Sequence, residues 1–396
     1  MSLPTRPFLA IYVIWHPGFG DGSRIAHLLY DHFRREIFSN VAGGTGLSVS
    51  FRFEPPPGGS EPADVDFDRA ETNAVVALAD DNLAGDSSWR SYLDRISSEC
   101  DRRGFGHRLF PVTFSNTALA VAGRVQAIRW HAWNGVGDAE RFLKLRSDLA
   151  HQFSKMLRQY LEHLRQPERT EGELERFLKP VRVFLSHSKH DALGKKLALA
   201  ARNFIHDETE LASFFDVQNI PSGLRFDDVL EHYVRVSAVV AFHTDTYSTR
   251  EWCRREILEA KKANVPLVVA NAIADFEERG FPYIGNVPVV RLDARSSKRR
   301  IPVLLAALMD EVLKDFLWKC RVALVRQSAP ADVAFLPRPP ELLTLASFEA
   351  GGDSASIDRL VYPDPPIGHE EARLFAAISP KTILQSYTEW IAEFGA

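Results

Sequence analysis

The chain has 396 residues, of which 45% are hydrophobic and 25% charged, with a formal net charge of −4. That is ordinary globular composition with room for two or three domains, and a balance so near neutrality excludes a global field drawing the chain to nucleic acid or an anionic membrane. Three cysteines, Cys100, Cys253 and Cys320, with no CxxC among them, exclude a disulfide framework and a zinc knuckle, so a reducing cytoplasm is the expected setting.

Residues 8–15 form an apolar run that predicts a buried strand. It is too short for a membrane span, and no cleavage pattern follows it, so neither export nor a membrane span is expected. The turn Gly18-Phe19-Gly20-Asp21-Gly22 leads through Ser23 into a helical stripe of Ile25, Leu28, Leu29 and Phe33. Further strands are expected at 47–53, 74–79, 107–114 and 126–130, then a long helix over 139–164. Strands alternating with helices predict a mostly parallel sheet covered on both faces, so residues 1–165 read as an α/β domain. The glycine turn has Ser23 where GxGxxG needs its third glycine, and no G-x-x-x-x-G-K-[ST] occurs, which speaks against a dehydrogenase and an ATPase.

Residues 166–179, polar and broken by Pro167, are expected as a linker. The alternation then restarts, with strands at 181–185, 212–217, 238–242, 267–270 and 289–292 and helices near 192–207, 225–235, 249–264 and 300–326. Five strands with crossover helices predict a flavodoxin-like doubly wound parallel sheet over 180–326, in which ligands collect beyond the carboxyl ends of the strands. The remainder, 327–396, contains Pro337-Arg338-Pro339-Pro340 and Pro363-Asp364-Pro365-Pro366, and so much proline argues against a sheet core of its own. It reads as a Pro-rich extension ending in one helix, with Ser379 as N-cap, Pro380 at the first position and a stripe of Ile383, Leu384, Tyr387, Ile391 and Phe394 docking on the preceding domain.

Three motifs stand in order within 180–326. They are Val183-Phe184-Leu185-Ser186-His187-Ser188; then Phe214-Phe215-Asp216 with Pro221-Ser222-Gly223; then Ala238-Val239-Val240-Ala241-Phe242, Tyr247-Ser248 and Trp252-Cys253-Arg254-Arg255-Glu256. Together they resemble a TIR (Toll/interleukin-1 receptor) domain of the bacterial, NAD-cleaving kind. The resemblance implies that Glu256 is the catalytic residue, releasing nicotinamide from NAD and leaving ADP-ribose or a cyclised product. It further implies that Ser186, His187, Ser188, Lys189, Asp216, Ser248 and Trp252 bind the substrate, with no cofactor and no metal. Where some family members carry arginine, this chain has Ser188 and Lys189. The loop with Pro221, Gly223 and Arg225 corresponds to the one through which TIR domains meet, implying a homo-oligomer that switches activity on. Bacterial antiphage defence, with a defence partner or activator, is the implied setting.

Residue chemistry agrees with the implied reaction. Trp252 and Glu256 are four apart and share a helix face, and Ser248-x-x-Glu251 reads as a capping box that would present free N–H groups to phosphate oxygens. Breaking the nicotinamide–ribose bond builds positive charge on the ribose, which one carboxylate can stabilise. Nicotinamide leaves as a neutral molecule, so no strong general acid is needed. Cys253 is expected as a small buried hydrophobe, and His187 and His190 lack partners at ligand spacing.

Two other readings stay open. One is a non-catalytic adaptor that binds other TIR domains, against which Glu256 and Trp252 speak; the other is an enzyme using the same carboxylate on a different nucleotide. In the first region, Val75-Val76-Ala77-Leu78 and Trp89-Arg90-Ser91-Tyr92-Leu93 echo the third motif, with Leu93 where Glu256 would stand and Asp94 turned about 100° away on a helix. That region is expected to be a degenerate, regulatory TIR-like copy, or else an unrelated α/β domain.

Overall fold

A computed structural model describes residues 6–41, 43–123, 125–133, 135–167, 181–214, 232–277, 280–293, 297–350 and 357–394. Asp216, Pro221, Gly223 and Arg225, most of the expected linker and most of the helix expected at 225–235 lie outside the described residues. Two compact units emerge: Met1–Phe177 with Phe316–Pro339 and Ser356–Ala396, and Leu178–Asp315 with Pro340–Ala355. The extension expected at 327–396 is therefore not a region apart, because its first and last stretches belong with the N-terminal region and its middle with the second unit. Among the described residues no helix is long and apolar enough to cross a membrane.

The first unit opens with β1 (Leu9–Trp15), whose seven residues are all buried, as a strand covered on both faces must be. With β2 (Ser48–Arg52), β3 (Thr72–Ala79), β4 (His107–Thr113) and β5 (Ile128–Arg129) it forms a sheet of order β2-β1-β3-β4-β5, every pairing parallel. Its helices are α1 (Gly22–Tyr30), continued by a π-helical turn over Asp31–Glu36, α2 (Asp81–Gly85), α3 (Ser87–Arg103) and α4 (Asp138–Arg165). Gly22 starts α1 hard against β1, where a Cβ would lie 2.3 Å from the Trp15 ring.

The second unit repeats the plan. Strands β6 (Arg182–Ser186), β7 (Ala212–Phe214), β8 (Ala238–His243), β9 (Leu267–Asn271) and β10 (Val289–Arg291) pair in parallel in the order β7-β6-β8-β9-β10. Counted within each sheet, both orders read 2-1-3-4-5. Helices α5 (Ala192–Glu208), α6 (Glu251–Lys262), α7 (Ser297–Val325) and α8 (Leu342–Ala350) follow, the residues of α7 from Phe316 onward counting with the first unit. Cys253, Ile257 and Ala260 turn the inner face of α6 onto a core of Phe184, Val239, Ala241, Tyr247 and Leu267, which fixes the register of that helix over the sheet.

The C-terminal stretch departs from expectation. Three short parallel strands, β11 (Val333–Phe335), β12 (Arg359–Tyr362) and β13 (Ile383–Ser386), form a sheet of order β11-β12-β13. The prolines of 337–340 and 363–366 fall between these strands, where no ladder hydrogen bond is lost. The helix expected to start at Ser379 is instead β13 followed by α10 (Tyr387–Phe394), preceded by α9 (His369–Ile378). Pairing of Ile383–Ser386 with Arg359–Tyr362 outweighs the helical spacing of its apolar residues, and a core of Trp318, Val325, Val361, Tyr387 and Trp390 closes over it.

Candidate functional site

The candidate site lies at the carboxyl ends of β6 and β8, neighbours whose register sets Ser186 beside Ala241. After Ser186 a short loop, residues 187–190, runs to α5, which is capped by Asp191 accepting from the Leu193 amide at 2.9 Å. After β8 the chain makes a 3₁₀ turn over Tyr247–Thr249 and enters α6. Because Cys253 and Ile257 are buried, the helix brings Glu256, beside Ile257, over the end of β6. There the Ser186 hydroxyl donates to Glu256 Oε2 in a close contact, and the Tyr247 hydroxyl lies 2.5 Å from Ser186 Oγ. Ser186, Tyr247 and Glu256 thus form one hydrogen-bonded row, joining two motifs that are 70 residues apart in sequence.

Burial raises the Tyr247 phenol well above its ordinary range, and the nearby Cys253 and Glu256 push the same way against the Ser186 hydrogen bond. The Cys253 thiol is likewise raised, by burial first and by Glu256 second, with Arg250 and Lys189 opposing. Both groups therefore keep their protons beside the carboxylate at neutral pH.

The other expected site residues divide. His187 is buried and its Nδ1 faces the Leu185 carbonyl at 3.0 Å; a carbonyl only accepts, so Nδ1 carries the proton. Ser188 is buried with no hydrogen-bond partner for its hydroxyl among the described residues, and so is Thr244 after β8. Lys189 is exposed, and its charge reaches Cys253. Trp252 is 41% exposed, with the Arg255 guanidinium 5.1 Å from its ring centroid, an arrangement of cation over π face.

Ser248 does not form the expected capping box. The N-cap of α6 is Arg250, with no side-chain cap, and the Ser248 hydroxyl donates to Glu277 in a close contact while lying 3.1 Å from His243 Nε2. His243 Nε2 also meets Glu277 Oε1 at 2.7 Å. This serine, histidine and glutamate have the composition of a hydrolase triad but not its geometry. Both contacts fall on one ring nitrogen, which must donate to the carboxylate, and the serine proton goes to the glutamate rather than to the imidazole. The cluster ties the end of β8 to the segment after β9.

Sequence reasoning assigned no role to Tyr247, His243 or Glu277. Tyr247 stood within a quoted motif, yet a tyrosine beside apolar strands reads as core; Glu277 sits in the polar run Asp275-Phe276-Glu277 and carries no signal. Among the described residues, no three His, Cys, Asp or Glu side chains come together as a metal site. In the first unit, helix α3, which likewise follows the third strand of its sheet, buries Trp89 and Leu93 and exposes Asp94.

No protein-family model and no curated protein matches the chain. Among solved structures it is similar to the apo form of a dinucleotide forming acetyl-coenzyme A synthetase 1 from Ca. Korarchaeum cryptofilum, at 11% identity and a TM-score of 0.30, over 83% of this chain and 69% of that one. A likeness this distant carries no argument about fold or chemistry.

Proposed function

We propose that the second unit is a flavodoxin-like TIR domain that cleaves NAD as a glycohydrolase or cyclase, with Glu256 as its catalytic carboxylate. The observation that carries this reading is the Ser186–Glu256 hydrogen bond, which holds a carboxylate at the carboxyl ends of two adjacent central strands. The parallel 2-1-3-4-5 strand order supports it, since doubly wound sheets of this order take their ligands at that end.

In the proposed reaction the bond between nicotinamide and ribose C1′ breaks with its electron pair going to the nicotinamide nitrogen, which loses its positive charge. The Glu256 carboxylate stabilises the cationic ribose that remains. In hydrolysis a water oxygen then bonds to C1′ and releases a proton to solvent, giving ADP-ribose. In cyclisation a nucleophile within the ADP-ribosyl group takes the place of water. Half-exposed Trp252, one turn before Glu256, offers a face for a planar ring. Self-association through the loop with Pro221, Gly223 and Arg225, a regulatory TIR-like first unit, a cytoplasmic setting and antiphage defence rest on the sequence resemblance.

Replacing Glu256 tests the reading. With Glu256→Gln, nicotinamide release from NAD should fall by about 10²–10³-fold, the scale of losing one electrostatic stabiliser, while circular dichroism and the unfolding midpoint stay at wild-type values. Full activity in Glu256→Gln would remove Glu256 from the mechanism.

A further inference from the structure

We propose that Tyr247 is a positioning residue: its phenol, acting through the Ser186 hydroxyl, holds the Glu256 carboxylate ionised and in one orientation. This rests on the reading of Glu256 as the catalytic carboxylate. The direction of donation follows from counting protons. A carboxylate only accepts, and the single proton of the Ser186 hydroxyl goes to Glu256 Oε2. The second contact of Ser186 Oγ, with the Tyr247 hydroxyl at 2.5 Å, must then be filled by the phenol proton.

Packing fixes the donor. Tyr247 is fully buried among Phe184, Cys253 and Ile257, and its ring lies edge-on to His243 at a centroid distance of 5.8 Å. A phenylalanine would fill nearly the same space, and a buried hydroxyl is costly unless hydrogen-bonded, so the phenol oxygen stands out as the feature packing does not require. Tyr247 also lies in the turn that launches α6, so one short segment positions both the donor and the helix bearing the acceptor. Donors arranged in series polarise one another and favour the charged end of the row.

Without the phenol, Ser186 Oγ loses the partner that orients it, and the ionised form of Glu256 loses support. The carboxylate then holds its proton to higher pH. A rate requiring the ionised carboxylate is lost as pH falls through that group's midpoint, so the acid limb of the profile moves upward. Among the described residues, the Cys253 thiol on α6 feels the charges of Glu256, of Arg250 before the helix and of Lys189 from the loop after β6, and Arg255 adjoins Glu256 in sequence. None of them changes in Tyr247→Phe.

The test uses the full chain as wild type, Tyr247→Phe, Ser186→Ala and the double variant. Two readouts are taken: kcat and KM for nicotinamide release against pH, and infrared titration of the Glu256 carboxyl band, identified by its loss in Glu256→Gln. Tyr247→Phe should lower kcat about tenfold, the worth of one hydrogen bond toward a charged group, leave KM unchanged, and move both the acid limb and the infrared midpoint upward. Ser186→Ala should do the same, and adding Tyr247→Phe to it should change nothing more, since the phenol acts through that serine. Additive losses, or a midpoint that does not move, overturn the proposal. If Tyr247→Phe does not fold, Tyr247→3,5-difluorotyrosine retains the ring and strengthens the donor, and must move the infrared midpoint downward. Wild-type protein that leaves NAD intact defeats the reading of Glu256 as catalytic, while the infrared titration still decides the row.

Discussion

Ser248 commits its hydroxyl to Glu277 and His243, and what its removal should do follows from that. Ser248→Ala deletes a donor to a largely buried carboxylate and is expected to destabilise the fold by about 1–3 kcal/mol in urea unfolding. Were Ser248 an open seat for phosphate, truncating it would leave the unfolding midpoint where it was. The contrast with Glu256 shows what a motif can convey. The spacing of Trp252-Cys253-Arg254-Arg255-Glu256 after an apolar strand is local information, and so were Ser186 and its strand end. Which hydroxyl meets which carboxylate is decided by pairing between β6 and β8, and no local pattern encodes the arrival of Glu277 beside Ser248.

Helix α6 carries the site at its N-terminal half and is bolted at its C-terminal end. Lys261, almost fully buried, gives its ammonium protons to both oxygens of Glu341, at 2.7 and 3.0 Å, and to the Gly285 carbonyl at 2.8 Å. Glu341 stands immediately before α8, so this ion pair fastens α8 to α6. Removing one partner strands a buried charge, and Glu341→Ala should cost about 3–5 kcal/mol, whereas the apolar pair Lys261→Met with Glu341→Leu should recover most of the loss. Denaturant unfolding of the single and paired variants checks this; equal stability for Glu341→Ala and wild type would mean that the pair carries no structural role. At this scale the central strands and long helices were legible because runs of apolar residues and 3.6-residue periodicity are strong signals. The last helix was not, because Ile383 and Leu384 satisfy a helical stripe and a strand equally well, and only the partner β12 distinguishes them.

At the scale of the whole chain, the described residues form two parallel five-stranded sheets of identical strand order and one sheet of three strands. The α/β class and the two sheets could be read from alternation of strands and helices. The division of the C-terminal stretch could not, because residues 340–355 join the second unit while the stretches on either side join the first, and sequence order says nothing of such interleaving. Cleavage of NAD is decided by incubating the purified 396-residue chain with NAD over a range of protein concentrations and resolving the products by chromatography. Nicotinamide should appear in amounts equal to ADP-ribose or a cyclised product, with turnover per molecule rising with protein concentration. NAD recovered intact at every concentration would contradict the proposed cleavage.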